Sequence, residues 1–346
     1  MKLSQVKRYI KSLPPASPVF IWGMPGIGKS SIVMEIAEEE KAPVEVVIGS
    51  LCAPEDIQGL PFRDKVSKCV KWYPQYWWSR FCNEDAVGTI FLDELPSAEP
   101  SVQVAMQRAI LERQVGEHKL GPKVRVIAAG NRREDAALVT ALPGPLRNRF
   151  HHIDVEPDLD DWITNYAIPS GIDPTIVAFL RFRGVGKDQL FARFDAKTDD
   201  KAYPTPRSWV MANRVLSVCP HDLLHEALAG TVGEGATTQF WAFRQLEKEL
   251  PSIDLILEDP DGAPLPGNPN LQHAIIGLLF GRLQKRRLSK VVDAVFRYAH
   301  RLPPEFAMKL TTDLVACKGT MSTALRKSTE FAVMAKKLGK YTGLDG

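Results

Sequence analysis

The 346-residue chain is poor in cysteine, in histidine and in long apolar runs. Its five cysteines, Cys52, Cys69, Cys82, Cys219 and Cys317, are scattered and form no C-x-x-C pair. This argues against a disulfide framework or a zinc ribbon and fits a reduced, cytoplasmic setting. His221 and His225 are spaced i, i+4, but no third ligand accompanies them, so metal binding is not expected there. No segment approaches the roughly 18 consecutive apolar residues that a membrane-spanning helix needs. The N-terminal stretch MKLSQVKRYIKSLPPAS lacks the continuous apolar core of a secretory leader and reads as an amphipathic helix. There is no short-period repeat and no low-complexity tract. An excess of one charge sign is also missing, with a formal net charge of +3.

The distribution of charge says more than its sum. From Arg282 to the end there are 14 Lys and Arg against 5 Asp and Glu, a net of +9 that leaves −6 on the rest. A basic tail of this kind is either a solvated helical face or a surface for an acidic partner. Hydrophobic content of 45% and charged content of 25% are ordinary for a globular protein, and the length accommodates two domains and a smaller third.

What is present begins with organisation. Residues 1–156 read as alternating β and α. Short Val- and Ile-rich runs at 17–23, 43–50, 87–95, 123–131 and 150–155 alternate with helical segments such as 29–40. This predicts a mostly parallel sheet covered by helices on both faces. Two stretches depart from that alternation. LPFRDKVSKCVKWYP (60–74) and LERQVGEHKLGPKVRV (111–126) read as hairpins carrying basic and aromatic side chains. Residues 157–258 are all helical in pattern, with Asp and Pro near helix starts. EDPDGAPLPGNPN (258–270), dense in Pro and Gly, reads as a linker. A basic helical extension then occupies 259–346. The aromatic run Trp72, Tyr73, Tyr76, Trp77 and Trp78 is expected to bury the base of the first hairpin.

The chemistry lies in the ordered motifs of the first segment. Gly23-Met24-Pro25-Gly26-Ile27-Gly28-Lys29-Ser30 satisfies G-x-x-x-x-G-K-[ST], between an apolar strand and a helix. Glycines let successive backbone N–H groups point inward at phosphate oxygens, and the following helix offers its positive end. The candidate nucleotide-binding set is Gly23, Met24, Pro25, Gly26, Ile27, Gly28, Lys29, Ser30, Ser31 and Asp93. Lys29 reaches phosphate, and the Ser30 hydroxyl with Asp93 suits Mg²⁺, a hard ion that takes oxygen ligands. Ile90-Phe91-Leu92-Asp93-Glu94 is an apolar strand ending in two carboxylates. Glu94 is placed to polarise an attacking water, although an acidic pair at a strand end also serves as a helix cap. Asn131 ends another strand and can orient water, or simply make a turn. Arg147 and Arg149 precede the last strand and can stabilise phosphoryl charge on a neighbouring molecule. Arg207 sits in the first helical turn of TPRSW, where a cation opposes the helix dipole and calls for an anion.

This order of motifs resembles the AAA+ ATPases. GMPGIGKS, IFLDELPSAEPSVQVAMQRAILERQV, VIAAGNRREDAALVTALPGPLRNRF and TPRSW are similar to the MoxR-type branch, over residues 17–250. The resemblance implies a P-loop α/β core at 1–156, an α-helical lid at 157–258, and hydrolysis of ATP to ADP and phosphate. It assigns Gly28, Lys29 and Ser30 to Walker A, Asp93 and Glu94 to Walker B, Asn131 to sensor 1 and Arg207 to sensor 2. Arg149 falls where the arginine finger lies, with Arg147 a second candidate. The two hairpins correspond to inserts that face a central pore. A homo-oligomeric ring, a hexamer in most members, is implied, with a partner bearing a von Willebrand factor A domain and a protein client to remodel. The alternative is a nucleic-acid-dependent motor, supported by the basic tail and by Arg63, Lys65, Lys68 and Lys71 in the first hairpin. A nucleotide-binding scaffold with little hydrolysis is a third reading, opposed by the intact Asp93-Glu94 pair.

Overall fold

The computed structural model describes residues 1–132, 141–183, 189–194, 200–267, 269–283, 291–315 and 320–342. Of the stretches quoted above, 133–140, the basic run 284–290 and Cys317 lie outside the described residues. The chain divides into two compact units. One comprises Met1–Asp158 with Phe194–Asp199, the other Leu159–Arg193 with Asp200–Gly346.

The first unit is α/β. Its strands are β1 (Val19–Trp22), β2 (Val44–Ile48), β3 (Leu60–Arg63), β4 (Val70–Tyr73), β5 (Val87–Asp93), β6 (Gln114–Val115), β7 (His118–Lys119), β8 (Lys123–Gly130) and β9 (His151–Asp154). Its helices are α1 (Leu3–Ser12), α2 (Lys29–Glu40), α3 (Pro54–Gln58), α4 (Tyr76–Ser79), α5 (Pro100–Leu111) and α6 (Gly144–Arg147). Five strands form one parallel sheet in the order β2-β5-β8-β1-β9. The two expected hairpins are separate antiparallel pairs, β3 with β4 and β6 with β7.

The apolar runs explain the layers. Along β1, Val19 and Ile21 face one core cluster while Phe20 faces the other. In β5, Ile90 and Leu92 join Phe20, and Phe91 joins Val19. In β8, Val124, Val126 and Ala128 alternate in the same way with Ile127 and Ala129. A strand apolar on both sides is stable only between two layers. α1 and α2 supply one layer through Val6, Ile10, Ile32, Val33 and Ile36, and α3 and α5 supply the other through Ile57, Val102, Met106 and Ile110. Each of these fully buried side chains contributes about 1.5–3 kcal/mol.

The aromatic run after β4 divides. Trp78 is 1% exposed and donates its indole N–H to the Asp56 carbonyl at 3.1 Å, with Trp77 stacked on it. Tyr73 and Tyr76 remain exposed, the latter at 84%. Of the run expected to bury the base of the hairpin, Trp77 and Trp78 reach the core, because Tyr76–Ser79 makes a single helical turn that directs those two inward and leaves Tyr76 outside.

The second unit is helical. It contains α7 (Leu159–Trp162), which runs into a π-helical turn at Ile163–Ala167, then α8 (Pro174–Phe182), α9 (Pro206–Val218), α10 (Leu224–Val232) and α11 (Glu234–Lys248). α12 (Ile253–Glu258), α13 (Pro269–Leu283), α14 (Val292–Ala299), α15 (Pro304–Val315), α16 (Thr320–Lys327) and α17 (Thr329–Thr342) follow. Phe179, Trp209, Phe240 and Phe243 form an aromatic centre with ring separations of 5.2–5.9 Å. Gly277 of α13 lies so close to α8 that a Cβ there would stand 3.1 Å from the Ala178 backbone. The Pro- and Gly-rich stretch after α12 is strapped down rather than free. Arg301 donates to the carbonyls of Pro260 and Ala263 at 2.8 Å, and the Tyr298 hydroxyl donates to Pro264 at 2.9 Å. His221 lies in the turn before α10, not on the helix with His225, and both rings pack on Trp241. No cluster of metal-ligating side chains occurs among the described residues.

Candidate functional site

Sheet topology selects one place for a ligand. The order of the parallel strands reverses at β1, which lies between β8 and β9, and ligands in such sheets bind at the carboxyl ends beside that reversal. Register brings the relevant strand ends level. Trp22 pairs with Gly130, so Gly23 and Asn131 leave the sheet side by side. Ile48 pairs with Asp93, so Gly49 and Glu94 leave the sheet side by side at the next pair of strands, with Ser50 one residue beyond.

The loop after β1 has the backbone that its glycines permit. Gly26 and Gly28 take φ of +78° and +104°, left-handed values that a side chain disfavours. Gly23 has φ in the ordinary range but no room, since a Cβ would lie 2.6 Å from Ile27 Cδ1 and 3.1 Å from the Val155 carbonyl. Gly28 caps α2, whose first residues are Lys29, Ser30 and Ser31. The first-turn N–H groups of a helix have no intrahelical acceptor and bear its positive end.

Three side-chain contacts tie this loop to the neighbouring strand ends. The Lys29 ammonium, 8% exposed, donates to the carbonyls of Gly23 at 2.6 Å and Met24 at 3.0 Å, and to Asn131 Oδ1 at 2.9 Å. The Ser30 hydroxyl donates to Asp93 Oδ2 at 2.8 Å. Asp93 Oδ1 accepts the backbone N–H of Glu94 at 3.0 Å. Glu94 is exposed and holds φ of +54°, a left-handed conformation uncommon for a residue with a side chain. Its carboxylate accepts from the Ser50 hydroxyl at 3.0 Å. Gly130, directly before Asn131, is obligatory: a Cβ there would come within 2.5 Å of the Pro96 ring.

Lys29, Ser30, Asp93, Glu94 and Asn131 are therefore brought together at one rim of the sheet, with Gly23 to Gly28 around the lysine. Arg147 and Arg149 are not at that rim. They are exposed on the turn that enters β9, level with Pro18, whose carbonyl accepts the His151 N–H at 2.9 Å. In a parallel sheet that is the edge where strands begin, opposite the rim that carries Lys29. Arg207 belongs to the helical unit. It is exposed at the second residue of α9, behind Pro206 and a reciprocal cap between Thr205 and Ser208. Ser50 was missed from the sequence. It lies outside every motif, and its only signal is its position two residues beyond the end of β2.

The loop and its surroundings fit a nucleoside triphosphate with Mg²⁺. Close-packed Gly23 and left-handed Gly26 and Gly28 leave a wall of backbone, and the buried ammonium stands inside it. Ser30 and Asp93 present adjacent hard oxygen donors.

Residues 19–156 match the model of the family described as ATPase family associated with various cellular activities (AAA). This unit accordingly has the P-loop fold of an AAA domain, followed by a helical region. No curated protein matches the chain. Among solved structures, the RuvB Holliday junction branch migration motor of Thermotoga maritima aligns at 18% identity and a TM-score of 0.37, over 76% of this chain and 74% of that one. A chain from a structure of katanin self-assembly aligns at 18% identity and a TM-score of 0.36, over 79% of this chain and 87% of that one. At such identity and score neither bears on function. No helix among the described residues is long and apolar enough to cross a membrane.

Proposed function

We propose that this protein is an ATP-hydrolysing motor of the MoxR type, working as a ring of identical subunits in the cytoplasm to remodel or activate a protein client. One observation carries the reading: Lys29, Ser30, Asp93 and Asn131 converge at the carboxyl ends of adjacent parallel strands, within a glycine loop shaped for phosphate.

Lys29 would exchange its loop carbonyls for phosphate oxygens, as the α2 N–H groups also point at them. Ser30 and Asp93 would hold Mg²⁺, which supplies neutralisation of phosphate charge when bound. Glu94 would accept a hydrogen bond from the attacking water and orient it, and Asn131 would fix the opposite side of that water. In the structure Ser50 holds the Glu94 carboxylate. Release from Ser50 is then part of reaching the active arrangement.

The position of Arg147 and Arg149 supports assembly. They stand at the edge of the sheet remote from Lys29, which supports a role on a neighbour's nucleotide rather than on their own. Arg207, a cation at a helix N-terminus, would read the nucleotide from the helical unit and report loss of the γ-phosphate. The MoxR branch, a hexameric count and a partner with a von Willebrand factor A domain are carried by the sequence resemblance. A second reading, a motor driven by nucleic acid, is favoured by the exposed Phe62, Tyr73 and Tyr76 beside the basic residues of β3 and β4.

The test is the ATPase rate per subunit across a dilution series, with particle mass measured in parallel, for wild type and for Arg147→Ala and Arg149→Ala. The reading requires a rate that climbs with assembly and collapses in at least one arginine variant. A dilute monomer at full speed with both arginines removed overturns it. Stimulation by single-stranded DNA or RNA that fades with salt selects the second reading.

A further inference from the structure

We infer that His152 is a positioning residue for the arginine turn, holding Arg147 and Arg149 in the geometry in which a second copy of the chain receives them. The inference rests on the proposed delivery of an arginine between subunits.

His152 lies on β9, level with Phe20 of β1. Its Nδ1 accepts the indole N–H of Trp22 at 2.8 Å, and its Nε2 lies 2.8 Å from the Arg147 carbonyl. An indole nitrogen only donates, so Nδ1 must carry a lone pair. The ring proton is then on Nε2 and is donated to Arg147. A neutral imidazole in a single tautomer thus joins the last residue of β1, adjacent to Gly23, to the last residue of α6. The other contact of that carbonyl, from the Phe150 N–H, is long at 3.4 Å.

The ring is also clamped from its sides. Trp22 stacks on Phe20 at 4.1 Å and on His152 at 6.1 Å, and Phe150 meets both Phe20 and His152 edge-on. Leu146 and Phe150 anchor the turn in the core, while the residues between them are exposed. Among the described residues, the His152 bond is what ties the backbone of Arg147 to the Trp22 side chain of β1. An arginine donated to a transition state must be placed to a fraction of an ångström, so a turn pinned at two apolar ends benefits from a third, directional tether. His152 itself is exposed, and its removal opens no hole in the core. That separates positioning from folding.

The experiment uses the full chain with His152→Ala and His152→Gln, assembled at high concentration. We expect His152→Ala to lower kcat about tenfold or more, with KM for ATP within about twofold of wild type. His152→Gln, whose amide both accepts and donates, should recover most of the loss. The decisive arm mixes variants during assembly. Lys29→Ala subunits have a dead nucleotide loop and sound arginines, whereas His152→Ala subunits have the reverse. Their mixture should exceed either alone, as should a control mixture of Lys29→Ala with the Arg147→Ala, Arg149→Ala double variant. Failure of the control overturns delivery between subunits, and this inference with it. Success of the control with no recovery for His152→Ala overturns the inference alone. Full activity of His152→Ala, or no rescue by Gln, does the same.

Discussion

The two units use polar side chains for different ends. In the α/β unit, Lys29, Ser30, Asp93, Glu94 and Asn131 meet at the rim of the sheet, in contacts that a ligand can replace one by one. In the helical unit a cation is buried among its partners. Arg181 pairs with Asp313 at 2.6 Å and Asp160 at 3.2 Å and lies 3.7 Å over the Phe280 ring. One arrangement is poised for exchange; the other is enclosed, with two carboxylates and a ring on the guanidinium and its Nε left unbonded among the described residues. The difference follows from position. Strand ends leave backbone and side chains at a surface, whereas a charge buried between helices must be paired there.

The sharpest way to break this contrast is Glu94→Gln. It should lower ATP turnover by roughly 10²- to 10⁴-fold while leaving nucleotide affinity unchanged. Equal turnover, measured by phosphate release, would remove Glu94 from the chemistry. Next in size is Arg181→Met, which takes from the Asp313 carboxylate its partner at 2.6 Å and leaves Lys309 at 3.8 Å. It should destabilise the helical unit by about 3–5 kcal/mol, read as faster hydrogen exchange in α8 and α15, with nucleotide affinity retained. If exchange is unaltered, the buried cation is not what holds those helices together.

A smaller effect is expected of Ser50→Ala. Losing one hydrogen bond to a charged group is worth about 1.5–3 kcal/mol at most, and an exposed one less. The free Glu94 carboxylate should change basal turnover by about tenfold or less, without moving the affinity for nucleotide. An unchanged rate would make the Ser50 contact incidental. The smallest effect concerns acid. Partial desolvation of the His273 ring, which remains exposed on one side, lowers its pKa below the ordinary value, aided by nearby Lys309 and opposed by Glu305, and the ring meets Phe306 at 4.7 Å. The unfolded chain therefore takes up the proton first. Stability attributable to this residue is present above about pH 6.5 and is lost as pH falls toward the depressed value. The denaturation midpoint should drop between pH 7.5 and 5.5, and drop less in His273→Phe. An identical slope in both would exclude His273 as the source.

How far the sequence could be read depended on range. The glycine loop, the Asp93-Glu94 strand end and the helix from Lys29 were legible because their conformations are dictated by neighbours within a few residues. Strand character at 87–93 and 123–130 followed from the apolar runs Ile90-Phe91-Leu92 and Val126-Ile127-Ala128-Ala129. The burial of Trp78 against the exposure of Tyr76 was not legible, because both are large aromatics in one run and only the α4 turn separates them. The link from Ser50 to Glu94, and that from Trp22 through His152 to Arg147, were invisible for a related reason. Each depends on which residues of two strands stand level, and no local pattern encodes that.

Contiguous residues alone dictated that this chain has a phosphate-shaped loop between a strand and a helix, with carboxylates and an asparagine ending two other strands. Which of those ends stand side by side, that Arg147 and Arg149 sit at the far edge, and that Tyr298 and Arg301 strap the Pro-rich stretch to α14 and the turn after it were settled by packing. Backbone preference acts over one or two residues, whereas register and burial are set by partners a hundred residues away.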